Sequence, residues 1–152
     1  MIIIVDGDAC PGKYIIENTA REKGIEVVIY CDTNHILKSN YSTVVTVDSG
    51  FQSVDMMIIN KVKSGDIVVS QDYGVAAMAL GKKAYAINPK GYIYHDGNMD
   101  KLLFERYISS KVRRTGGKTS NPKKRTKEDD KRLRKNLLQL ISNGKIYKGE
   151  DW

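Results

Sequence analysis

Residues 1–13 read MIIIVDGDACPGK, an apolar run that stops on Asp6-Gly7-Asp8 and is followed by Pro11 and a lysine. A short continuous apolar run bounded by turn residues fits a strand buried on both faces, as in a parallel sheet. Pro11 suits the first turn of a helix, which the pattern carries to about Lys23 with Gly24 as its stop. The same alternation continues along the chain. IEVVIY (25–30), STVVTV (42–47), DIVVS (66–70) and KAYAI (83–87) read as strands, with helices across 51–63 and 74–80. An NPKG turn, a tyrosine-rich strand and a helix from Asn98 to about Arg113 follow. This order predicts an α/β domain whose Rossmann-like, mostly parallel sheet is flanked by helices.

The chain has 152 residues, enough for one domain with a real core. Its net charge of +7 is concentrated: Lys111 to Lys135 holds twelve Lys or Arg against three acids, so the remainder is slightly negative. A basic segment on an acidic body suits a polyanionic partner, solvated surface charge being the ordinary alternative. RRTGGKTSNPKKRT (113–126) reads as a loop or linker. Thr126 and Asp129 are spaced as a capping box, opening a helix with Leu133, Leu137, Leu138, Leu140 and Ile141 on one face. The expected division is an α/β domain over 1–114 and a basic linker with a helix over 115–152, packing on the domain or a partner. Cys10 and Cys31 are too few for a disulfide framework or a zinc site and read as free thiols. With no basic leader and no apolar run near the length of a membrane span, a cytoplasmic protein without membrane contact is expected.

Four strands run into an aspartate: Asp6, Asp32, Asp48 and Asp72. In an open parallel sheet these positions share the carboxyl edge, where ligands bind. Each acid alone is also an ordinary helix cap. Asp55 shifts that balance, because on a helical wheel it falls among Phe51, Val62 and Ile59, inside the apolar stripe. Ser49 and Gln52 are spaced as a capping box for its helix. If Asp6, Asp8, Asp55 and Asp72 converge, their repulsion calls for a cation, and hard carboxylate oxygens suit Mg²⁺ or Mn²⁺. Asp66 precedes its strand and belongs at the opposite end, in the turn that closes the Asp55 helix.

VDGDACPGK (5–13), DSGF (48–51) with Asp55 following, GDIVVSQDYGVAA (65–77), NPKG (88–91) and RRTGGKT (113–119) together resemble the YaiI/YqxD family of uncharacterised bacterial proteins, in order and over nearly the whole chain. The resemblance implies a PIN-like domain, a Rossmann-like nuclease fold with acidic metal-binding sites. Carried over by position, it makes Asp6, Asp55 and Asp72 the catalytic acids, and these with Asp8 the metal ligands. Asn121 stands where the family has glycine, and Arg125 where it has an aromatic residue, so this tail is more polar and more basic.

The function expected is divalent-metal-dependent hydrolysis of phosphodiester bonds, with RNA as the polymer. Lys13, Arg113, Arg114, Lys118, Lys123, Lys124 and Arg125 would meet its phosphates. Two alternatives stay open. One is an RNA-binding protein with no turnover, which needs the same basic charge. The other is a haloacid dehalogenase-like phosphatase with Asp6 as nucleophile and Asp8 as acid. His35 and His95 read as surface or packing residues.

Overall fold

The computed structural model describes residues 1–7, 10–32, 37–48, 53–114, 116 and 124–143, without the side chains of residues 106, 113, 114 and 143. In chain order the elements are β1 (Ile2–Asp6), α1 (Lys13–Lys23), β2 (Glu26–Asp32), β3 (Thr43–Val47), α2 (Val54–Lys61), β4 (Ile67–Val69), α3 (Tyr73–Gly81), β5 (Tyr85–Ile87), β6 (Ile93–Tyr94), α4 (Asp96–Arg114) and α5 (Lys127–Asn143). They build one six-stranded sheet in the order β3-β2-β1-β4-β5-β6. All neighbours are parallel except the β5–β6 pair, whose short connection permits an antiparallel return.

Both faces of the sheet are covered, which is why its strands read as unbroken apolar runs. Odd-numbered residues of β1 and β4 (Ile3, Val5, Ile67, Val69) face α1 and α5, against Ile16, Ala20, Leu133, Leu137 and Leu140. Even-numbered ones (Ile4, Val68) face the opposite layer of Ile58, Val75, Ala79, Met99 and Leu102 from α2, α3 and α4. The carboxyl-terminal helix is therefore a wall of the core rather than an appendage. Its capping box forms as the spacing predicts: Asp129 N–H donates to Thr126 Oγ1 at 3.3 Å and Thr126 N–H to Asp129 Oδ2 at 3.0 Å.

Most helix ends differ from the sequence reading by one to three residues, and two of these differences have a visible cause. The first helix begins at Lys13 rather than Pro11, because Gly12 caps it in the left-handed region at φ 87°. The helix carrying Asp55 runs over Val54–Lys61 rather than 51–63. Ser53 caps it, its side chain accepting Met56 N–H at 3.1 Å, and Ser49 and Gln52 lie outside the described residues. Gly24 ends α1 in the left-handed region as expected. Asp66 is 6% exposed at the amino edge, where its carboxylate accepts the N–H of Lys63 and of Ile2. It joins the end of α2 to the start of β1, far from the acids of the carboxyl edge.

Candidate functional site at the carboxyl edge

The strand order reverses between β1 and β4, so their following helices leave to opposite faces and open a crevice there. Asp6 is the last residue of β1 at this point. The register Val5↔Val69 sets Asp6 level with Ser70, and both point to the α2–α3 side. Asp6 is 6% exposed and Ser70 1%. The Ser70 hydroxyl donates to Asp6 Oδ2 at 3.2 Å and accepts the Asp72 N–H at 3.0 Å. One buried hydroxyl thus links the two acids. Ser70 is itself anchored by Tyr94, whose hydroxyl donates to the Ser70 carbonyl at 3.0 Å. Tyr73 packs edge-on against Tyr94, with ring centroids 5.9 Å apart. Burial, then the Tyr73 and Asp72 charges, push the Tyr94 hydroxyl well above its ordinary pKa, so it stays a proton donor.

Asp72 is half-buried and caps α3, its Oδ1 accepting the N–H groups of Gly74 and Val75 at 2.8 and 3.3 Å. The ordinary role of a strand-end aspartate and a place in the acidic edge therefore coincide in one residue. Asp55 is half-buried in the first turn of α2, on the same face of the sheet, between Val54 and Ile58, which enter the core. A helix amino terminus favours a carboxylate there. Asp32 ends β2 and exposed Asp48 follows β3 at the same edge. Asp8 lies outside the described residues.

Carboxylate oxygens beside a buried hydroxyl are the donor type that Mg²⁺ or Mn²⁺ takes. Among the described residues, however, no three His, Cys, Asp or Glu side chains gather closely enough to hold a metal ion. Asp6, Asp55 and Asp72 share an edge without forming a three-ligand set by themselves. What the fold brings together is the Asp6–Ser70–Asp72 arrangement.

The glycine between Asp6 and Asp8 has a packing reason. A Cβ on Gly7 would lie 2.7 Å from Ile29 Cγ2 and 2.9 Å from the Tyr30 carbonyl, so only glycine lets this loop pass over the end of β2. Lys13 reaches back to the same loop, its Nζ donating to the Gly7 carbonyl at 3.3 Å. Cys10 is buried beside it, and burial pushes its thiol pKa up to about 12 despite the Lys13 and Arg125 charges.

The basic residues divide. Lys124 is exposed, whereas Arg125 works inside the fold. Its Nε bonds Asp130 at 2.8 Å, its Nη1 donates to the Pro89 carbonyl at 2.7 Å, and its Nη2 is buried against Gly12 with no hydrogen-bond partner among the described residues. One side chain thus ties α5 to the start of α1 and to the NPKG turn. Arg113 and Arg114 end α4, but their side chains, like Lys118 and Lys123, lie outside the described residues. On α5 a shallow concavity of about 200 Å³ is lined by Glu128, Lys131, Arg132 and Lys135. Ser70 and Tyr94 are neutral residues that no charge pattern singles out in the sequence, whereas the concavity lies at the end of the basic run Lys111–Lys135.

A family model describing uncharacterised YaiI/YqxD proteins matches residues 4–143. The chain belongs to the YaiI/YqxD family. It is 89% identical over 152 residues to a UPF0178 protein of Clostridium kluyveri, covering all of both chains. A UPF0178 protein of Clostridium tetani is 64% identical over 145 residues, 95% of this chain and 99% of the relative. One from Ruminiclostridium cellulolyticum is 54% identical over 141 residues, 93% and 92% of the two chains. No solved structure matches the chain. The YaiI/YqxD match runs from β1 to the last turn of α5, so the carboxyl edge and the helix that walls the core fall within one family unit. Among the described residues no helix is long and apolar enough to cross a membrane.

Proposed function

We propose that this YaiI/YqxD chain is a PIN-like nuclease that hydrolyses phosphodiester bonds in RNA at the carboxyl edge, with Mg²⁺ or Mn²⁺ as cofactor. The observation that carries the reading is a buried Asp6 at the topological switch point, linked through Ser70 to Asp72. A third carboxylate is required for a metal, and Asp8 is its candidate, since Asp55 does not complete a three-ligand group with Asp6 and Asp72. Bound there, the ion would activate water and stabilise the leaving oxygen. The chain's own residues have simpler tasks. Ser70 fixes the orientation of Asp6, the α3 amino terminus fixes Asp72, and Lys13 adds positive charge beside the loop. Exposed Lys124 and Lys131 would attract the phosphate backbone without reading its sequence.

Asp6→Asn and Asp72→Asn test this directly. Each keeps a hydrogen-bond acceptor and removes the charge, and Asn caps helices as well as Asp does. Expected is metal-dependent cleavage of single-stranded RNA by the parent protein and its loss in both variants, with unchanged circular dichroism. Wild-type protein inert towards RNA and DNA with either metal would end the nuclease reading.

A second reading is favoured by two observations: no three-ligand group among the described residues, and the use of Asp72 as a helix cap. It is RNA binding without turnover. Salt-sensitive binding that survives Asp6→Asn, with no cleavage by any form, would select it.

A further inference from the structure

The middle of α4 carries an apolar stripe that the described residues leave exposed. Leu103, Phe104, Tyr107 and Ile108 are 38%, 63%, 57% and 42% exposed, whereas Met99 and Leu102 on the inner side are buried. Exposed Asp100 lies one turn before the stripe and exposed Lys111 one turn after it. On a helical wheel these six residues fall within about 140° of arc, so they form one face.

We infer that this face is the interface of a homodimer in which two α4 helices pair antiparallel about a two-fold axis between residues 105 and 106. Such an axis sets Phe104 against Tyr107, Leu103 against Ile108 and Asp100 against Lys111 of the second copy. Aromatic meets aromatic, aliphatic meets aliphatic, and acid meets base, each pair occurring twice. A two-fold interface must be self-complementary in this manner, since the same patch serves on both sides. A parallel pairing would instead oppose Asp100 to Asp100 and Lys111 to Lys111. Complementarity of charge along the helix thus selects a second copy in one orientation.

The exposed apolar side chains amount to roughly 400 Å² per copy. That places the interface below the usual size of stable complexes, so the dissociation constant expected is on the order of 10 μM. Sedimentation of the full chain between about 1 and 300 μM should show a reversible monomer–dimer equilibrium. Phe104→Glu should weaken it by about 100-fold or more. Asp100→Lys and Lys111→Asp should each weaken it by about three- to tenfold, and the double variant D100K/K111D should restore it. The double variant opposes the helix dipole, so restoration cannot come from a better helix. Wild type that stays monomeric throughout, a dimer indifferent to Phe104→Glu, or a double variant no better than the singles would each overturn the inference.

Discussion

Replacing Gly91 by alanine should dislodge α5, and the size of the effect follows from two separable causes. Gly91 ends the NPKG turn at φ 92°, in the left-handed region, where a Cβ costs about 1–2 kcal/mol. The second cause is contact. A Cβ there would meet Leu133 N and would lie 2.5 Å from Arg132 C and 2.7 Å from Leu133 Cα, all backbone atoms of α5. Backbone cannot rotate away as a side-chain tip can. The helix would have to lift, loosening the 2.7 Å hydrogen bond from Asn136 Nδ2 to the Gly91 carbonyl and uncovering Leu133, Leu137 and Leu140, each 0% exposed. Overpacking of this kind costs about 1–3 kcal/mol beyond the strain. Together the loss is about 2–5 kcal/mol, a large part of a typical stability.

Gly65 supplies the comparison. It has nearly the same backbone, φ 88°, with nothing within 4 Å of a built Cβ. Gly65→Ala should therefore show the strain alone, about 1–2 kcal/mol. In thermal melts followed by circular dichroism, Gly91→Ala should lower Tm by about 10 °C and Gly65→Ala by about 3 °C. Amide exchange in the Gly91 variant should rise first along α5. Equal shifts for the two variants would refute the account, because they would show that α5 does not bear on the turn.

Other outcomes follow from single contacts. Ser70→Ala removes the donor to buried Asp6 and the acceptor of the Asp72 N–H, so urea unfolding should show a loss of about 1–3 kcal/mol. Burial works against the Asp129 carboxylate, but the Thr126 N–H and Arg132 outweigh it and hold its pKa below the ordinary 3.8. A depressed pKa in the folded state stabilises above 3.8 and is lost as pH falls below it, so the stability gap between wild type and Asp129→Asn should shrink on titration from pH 7 to acid. Cys10 and Cys31, 4% and 0% exposed, should resist an aromatic disulfide reagent at neutral pH in the native protein and react at once in denaturant. For Cys10 the raised pKa also means that stability declines with alkali, starting near its ordinary 9.0 and continuing towards about 12.

The strands were legible because both faces of the sheet are buried, so Ile2–Val5 and Ile67–Val69 could be nothing but apolar. Parallel direction then did more than describe the fold: it sorted the acids, sending Asp6, Asp32, Asp48 and Asp72 to one edge and Asp66 to the other. The Thr126–Asp129 box was legible for a different reason, since capping is local and its spacing is its mechanism. Contacts between distant segments left no such trace. Ser70 reads as one serine among many until the Val5↔Val69 register sets it beside Asp6. Arg125 reads as one more cation in a basic run, yet Asp130, Pro89 and Gly12 close around it. Composition records how much charge a segment carries, and only packing decides which charges face outward. For this chain that distinction falls inside the basic segment itself: Arg125 fastens α5 to the NPKG turn, while residues such as Lys124 and Lys131 face outward. A substitution at Arg125 that weakened RNA binding would therefore have to be checked first for a loosened α5.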